Sequence, residues 1–339
     1  MPYKGKVEKT RFIEKKQFIE NLKVGDSVSD IFLVRKIIPK DNLEVLICDK
    51  TGDIKIAFTN KNLNRDDFIN IIKPGDFIFI REGVVDDKSG EIKIYLDSLY
   101  NIERIDRENV RIEDLVPSLS DTEIESMLSE LRDYIDSIDN VYLKSLLKKI
   151  FYDEEFVEKF TRTPSSIDHH HNYIGGNLEH TLNVVRICDA ISKINKDLNR
   201  DLLLTGAILH DIGKSFEYKP YLLCEKTDEG ILAGHIILGE RKIREKINEL
   251  RSEGIDFPED LEMLLSHMIL SHHGRREWGS PEIPKLLEAL VLHYADLMDS
   301  QIKYHAQKIE NEKKYRENNW SLIWDNDLKK RKHFYIGEV

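Results

Sequence analysis

The stretch "AILHDIGK", Ala207 to Lys214, carries an apolar helical run into a histidine and a carboxylate, then turns through a glycine to a lysine. A charged group at the end of a buried segment requires a partner, so something must neutralise Asp211. Working outward, further imidazoles and a carboxylate sit on apolar helical stretches: His180 in "LEHTLNVV", His235 in "AGHIILG", His272 and His273 in "LSHHG", and Asp296 in "LHYADLMD". All twelve histidines lie beyond residue 168. One such histidine is most simply a satisfied core residue. Several on successive helices, closed by an aspartate in an apolar run, point to side chains converging on divalent cations such as Mn, Fe, Co or Zn, which imidazole and carboxylate suit together. A cation there would answer the question that Asp211 poses.

Bulk composition sets the frame. A chain of 339 residues is long for one core, which favours two or more domains. The 40% apolar content is enough for sizeable cores, and 33% charged content gives a heavily charged surface. Apolar runs such as "LLLTGAIL" fall short of the roughly 20 residues needed to cross a bilayer, and "MPYKGKVEKTRF" does not read as a secretion signal. Cys48, Cys188 and Cys224 are widely spaced with no CxxC, as reduced cytosolic thiols would be, so the expected location is the cytoplasm and no membrane partner is expected. The net charge of −11 is uneven: residues 1–110 hold 20 basic and 20 acidic side chains, whereas residues 111–339 hold 31 and 42. The first segment opens with a basic arm, including Lys4, Lys6 and Lys9, that can hold phosphates.

From Val24 to Ile105, short β-branched and aromatic runs separated by Gly, Asn and Asp predict five strands, with a short helix at "NRDDFINII" after the third. That layout is an OB-fold, a small barrel whose face often binds single-stranded nucleic acid. Phe58, Phe77, Phe79 and Tyr95 are its candidate base-stacking residues where they face outward; inward, they fill the barrel. Beyond Val116 the period changes to that of helices, with Ser120 and Glu123 forming a capping box. The expected architecture is multidomain: a basic arm (1–23), an all-β OB barrel (24–105), a helical linker (106–160), an all-α bundle bearing the His/Asp constellation (161–310) and a polar tail (311–339).

His180, His210-Asp211 and Asp296 together resemble the "H…HD…D" signature of the HD-domain metal-dependent phosphohydrolases. The wider set "HHNYIGGNLEHTLNVV", "GAILHDIGK", "GHIILGE" and "ILSHHGRREWGSPEIPKLLEALVLHYADLMDS", behind an OB-like domain, resembles the YhaM-type 3′-5′ exoribonucleases of bacteria from about residue 10 to 310. The resemblance implies a divalent metal, single-stranded RNA as substrate, and a longer ligand set for two ions, manganese first, with Co, Fe or Mg as alternatives. His180, His210, Asp211 and Asp296 would hold the first ion, with Asp211 bridging to a second held by His235 and His272, or His273 in its place. The ions would activate water for attack on phosphorus. Lys214 and His273 are candidates for charge stabilisation or proton transfer beside Asp211. His171 or Tyr173 could stack on a terminal base, and Arg275, Arg276 and Trp278 form a cation and aromatic set suited to a nucleotide. Single-stranded DNA is an alternative substrate and a small nucleotide, a dNTP or cyclic dinucleotide, another; a homo-oligomer is a further possible partner.

Overall fold

The computed structural model describes residues 13–38, 44–59, 72–87, 92–166, 173–219, 225–313, 319–325, 330–335 and 337. Lys4, Lys6, Lys9, His171, Cys224 and the short helix expected around Phe68 lie outside these described residues. The chain divides into two compact units, Met1–Ser118 and Leu119–Val339.

The strands of the first unit are β1 (Ser27–Val28), β2 (Ile31–Ile38), β3 (Glu44–Asp49), β4 (Gly52–Phe58), β5 (Phe77–Ile80), β6 (Gly83–Asp86), β7 (Lys93–Leu96) and β8 (Ile102–Ile105). β2, β3 and β4 form an antiparallel meander. β4 then pairs in parallel with β7, and β7 pairs with β6. β5 returns to β2. Since β5 and β6 are one stretch of chain bent at Arg81-Glu82, the ladder closes on itself. This is the OB ring, with its diagnostic parallel contact between the third and last barrel strands. The bend divides what reads in sequence as one strand, and Glu82 takes a positive φ of 56° there. One half of the strand pairs with β2 and β8, the other with β7 and β1. Closing a small barrel demands such a turn in strand direction.

Alternation fills the barrel from one face of each strand: Phe32 and Val34, Val45 and Ile47, Ile54 and Ile56, Ile78 and Ile80, Ile94 and Leu96. Two of the four aromatics read as base-stacking candidates are therefore reassigned. Phe58 continues the inward row of Ile54 and Ile56 and packs against that core. Phe77 is 5% exposed, covered although it lies on the opposite face from Ile78. Phe79 and Tyr95 stay half-buried on the outer face, Phe79 with the Arg81 guanidinium 5.4 Å from its ring centre. The segment entering the barrel is fastened by Lys15, whose buried amine donates to the Ile31 carbonyl at 2.7 Å and lies 3.6 Å from the Phe32 ring centre.

The second unit contains α1 (Asp121–Asp136), α2 (Val141–Phe151), α3 (Glu154–Thr161), α4 (Gly176–Ile194), α5 (Arg200–Leu209), α6 (Lys214–Glu217), α7 (Asp228–Ser252), α8 (Glu259–Ser271) and α9 (Leu287–Lys313), then a hairpin of β9 (Trp320–Asp325) and β10 (Lys330–Tyr335). The Ser120–Glu123 capping box opens α1. Every residue of α5 from Leu202 to Leu209 is buried, so it is the central helix, apolar all round. Helices α1 to α3 do not act as a linker: Leu131, Leu147 and Phe160 share one core with Leu182, Leu204 and Met268, because their apolar stripes have nowhere else to be buried. α9 extends past residue 310, and the segment read as a polar tail contributes the β9–β10 hairpin.

Candidate metal centre

Each functional side chain is delivered by a helix or a helix end. α5 ends at His210, and the turn to α6 carries Asp211 and Gly213. α4 presents His180, α7 presents His235 just after a kink at Gly234, the end of α8 presents His272 and His273, and α9 presents Asp296.

These groups meet around Asp211, whose side chain is 2% exposed. Its Oδ2 lies 3.2 Å from His210 Nε2, 3.5 Å from His180 Nε2 and 2.6 Å from the Lys214 amine. Its Oδ1 lies 3.5 Å from His235 Nε2 and 3.8 Å from His272 Nε2. Asp296 Oδ1 is 3.2 Å from His180 Nε2. Two groups of possible ligands result: His180, His210 and Asp296, and His235, His272 and His273, the ligand atoms of each lying within 4.8 Å of one another. One carboxylate oxygen of Asp211 faces each group.

The donor set fits divalent ions. Among the described residues, Asp211 Oδ1, His235 Nε2 and His272 Nε2 are buried without hydrogen-bond partners, an arrangement that costs free energy unless a cation takes their lone pairs. Each of the five imidazoles has its Nδ1 engaged: His180 with Asp299 at 2.6 Å, His235 with Glu217 at 3.0 Å, and His210, His272 and His273 with the carbonyls of Ala207, Ile269 and Trp278 at 2.8, 2.7 and 3.1 Å. Holding Nδ1 this way fixes the tautomer and points Nε2 at the centre.

Charge follows the same division. Burial opposes the negative charge on Asp211, but Lys214 and His210 outweigh it and hold the carboxyl well below the usual range. Burial alone would lower the His180 imidazole, yet the carboxylates of Asp296 and Asp299 raise it to about 9. In the second group, burial and neighbouring imidazoles push His272 and His273 down, leaving neutral rings with lone pairs to donate.

Gly213 explains the glycine of the opening motif. A Cβ there would stand 1.8 Å from the His235 carbonyl oxygen and 2.6 Å from the Gly239 nitrogen, so only a glycine lets α7 approach the motif turn. Gly213→Ala is therefore expected to lower stability by about 1–3 kcal/mol. It should also displace His235, read as a lower denaturation midpoint and as less metal bound per chain.

Other candidate residues are placed as follows. Lys214 is buried, its amine on Asp211 and 3.2 Å from the Ser165 hydroxyl. The Tyr173 hydroxyl donates to Glu179, and the Lys303 amine lies 5.5 Å from its ring centre and 3.1 Å from Glu179. The Arg275 guanidinium stands 4.5 Å from the Trp278 ring centre, while Arg276 is turned to Glu282 at 2.8 Å. Sequence reasoning missed Asp299, Glu217 and Ser165. Asp299 had a signal, since it lies three residues after Asp296 on the same helix face. Glu217 and Ser165 meet their partners through the tertiary fold.

The fold and the centre define the helical unit as an HD domain, whose family model matches residues 177–301. With that domain the chain is an enzyme, a metal-dependent hydrolase. Over most of its length it is similar to the 3′-5′ exoribonuclease YhaM. It is 28% identical to that of Geobacillus sp. (strain WCH70) over 302 residues, spanning 87% of this chain and 89% of the relative. It is 29% identical to that of Bacillus velezensis over 301 residues, spanning 86% and 90%. Against that of Listeria welshimeri it is 33% identical over 189 residues, 56% of this chain and 58% of the relative. The resemblance read from the sequence is borne out. Among solved structures, the OB domain of MM0293 from Methanosarcina mazei aligns with 28% of this chain and 85% of its own, at 16% identity and a TM-score of 0.23; the barrel's class rests on its own ladder.

Proposed function

We propose that this chain is a metal-dependent 3′-5′ exoribonuclease that hydrolyses single-stranded RNA to 5′-mononucleotides, the barrel holding the strand and the helical centre cutting it. The observation that carries the reading is Asp211, one oxygen turned to each of two three-ligand groups. His180, His210 and Asp296 with Asp211 Oδ2 would hold one ion, and His235, His272 and His273 with Oδ1 the other. Manganese is the ion we assign, in keeping with an imidazole and carboxylate set without thiolates. Divalent ions bound there lower the pKa of water and stabilise negative charge on a phosphate. The chain's own part is to fix the rings through Nδ1 and to place the buried Lys214 amine as a further positive charge beside Asp211. His273, half-buried and neutral, stands at the rim of the second group, with Arg275 and Trp278 in the loop behind it for the nucleotide. Among the described residues no helix is long and apolar enough to cross a membrane. The buried free thiols of Cys48 and Cys188 fit the reducing cytoplasm that we assign.

The test is 5′-labelled single-stranded RNA incubated with the purified chain and manganese, or with chelator. Labelled products that shorten progressively from the 3′ end with manganese, and stay intact with chelator, are expected. Internal cuts, or hydrolysis confined to mononucleotides or DNA, would overturn the reading.

A further inference from the structure

Two imidazoles of the second group, His272 and His273, stand where α8 ends, and Gly274 follows them at once with a positive φ of 76°. The main-chain carbonyls at a helix end have no partner inside the helix, so contacts from elsewhere decide how the last residues are held. Trp278 supplies one such contact, its carbonyl taking the His273 Nδ1 proton at 3.1 Å. α9 supplies another. His293 is buried, and its Nδ1 lies 2.9 Å from the His272 carbonyl, so that nitrogen is the donor. The His293 ring fills the space beneath the turn: a Cβ at Gly274 would stand 2.2 Å from its Cε1 and 2.3 Å from its Nδ1. The Trp278 ring centre is 6.0 Å from that of His293. Three residues further along α9 comes Asp296, which belongs to the first group.

We propose that His293 is a positioning residue for the second ligand group: by donating to the His272 carbonyl it fixes the turn from which His272 and His273 reach inward, and it ties that group to the helix that carries Asp296. It acts through the main chain of His272 and is itself neither a ligand nor a contact for substrate. This rests on the two-ion reading above.

The experiment is a Mn(II) titration of the full-length chain, following free Mn(II) by electron paramagnetic resonance, without any substrate. His293→Asn and His293→Leu shorten the ring to nearly the same size, but only asparagine keeps an N–H near the place of Nδ1. In His293→Leu one of the two ions is expected to be held about tenfold more weakly and the other as before, the lower end of what loss of a supporting hydrogen bond costs a metal site. In His293→Asn both ions should stay within about threefold of the wild type, because the donor survives. Both variants lose packing, so both should denature at a lower temperature than the wild type. A His293 that only fills space predicts the same metal binding in the two variants, retained or lost, and that result overturns the proposal, as does a weakening of both ions alike in the leucine variant. A wild type that binds fewer than two ions overturns the two-ion reading and this proposal with it, whereas two ions in the wild type and matching variants overturn this proposal alone. If the shortened variants do not fold, His293→Phe keeps the ring volume and removes the donor: one weakened ion supports the assignment, and two ions held as in the wild type overturn it.

Discussion

Asp211→Asn is expected to lower RNA hydrolysis by at least about a thousandfold, at the upper end for loss of one group that stabilises a transition state. The estimate leans upward because one side chain serves both ligand groups, with oxygens 3.2 Å from His210 Nε2 and 3.5 Å from His235 Nε2. An amide matches the carboxylate in size but offers one oxygen and no charge, so bound manganese should fall as activity does. Retention of both ions with full activity would remove Asp211 from the centre. A second effect follows in chelator. Lys214 loses the counter-charge that holds it in a buried place, and breaking such a pair costs about 3–5 kcal/mol. Denaturation with and without chelator separates the two effects.

Removal of residues 1–118 is expected to cut the rate on long RNA by about a hundredfold, and to change hydrolysis of a small phosphodiester such as bis(p-nitrophenyl) phosphate by less than about threefold. The division between compact units falls at Ser118, and the core of the helical unit is assembled from α1 onward. Residues 111–339 carry 42 acidic against 31 basic side chains, so on the proposed function the helical unit would repel a polyanion except where its ligand groups held metal. The barrel would raise the local concentration of the strand, a contribution that salt weakens. Equal losses on both substrates would assign residues 1–118 to folding of the centre instead of to holding RNA.

What could be read from the sequence was whatever depends on neighbours along the chain. Alternating β-branched runs gave the barrel strands, the Ser120–Glu123 spacing gave a helix start, and the apolar run before His210 marked a buried helix. The convergence on Asp211 was legible because each ligand interrupts an apolar helical stretch, which is costly unless a cation compensates. The opposite faces of Phe58 and Phe79 depended on strand register, and the break at Arg81-Glu82 on barrel closure, neither of which composition records. Glu217 stayed hidden because His235 lies 18 residues away and meets it across the fold. Helices α1 to α3 were misjudged as a linker since an amphipathic stripe states that a face is buried without saying against what.

Because the Nδ1 atoms of His180, His210, His235, His272 and His273 are all tethered by the protein itself, the rings are aimed before any ion arrives. These rings would hold a divalent ion with little rearrangement of helices. On the two-ion reading, such a scaffold would be emptied and refilled without being rebuilt.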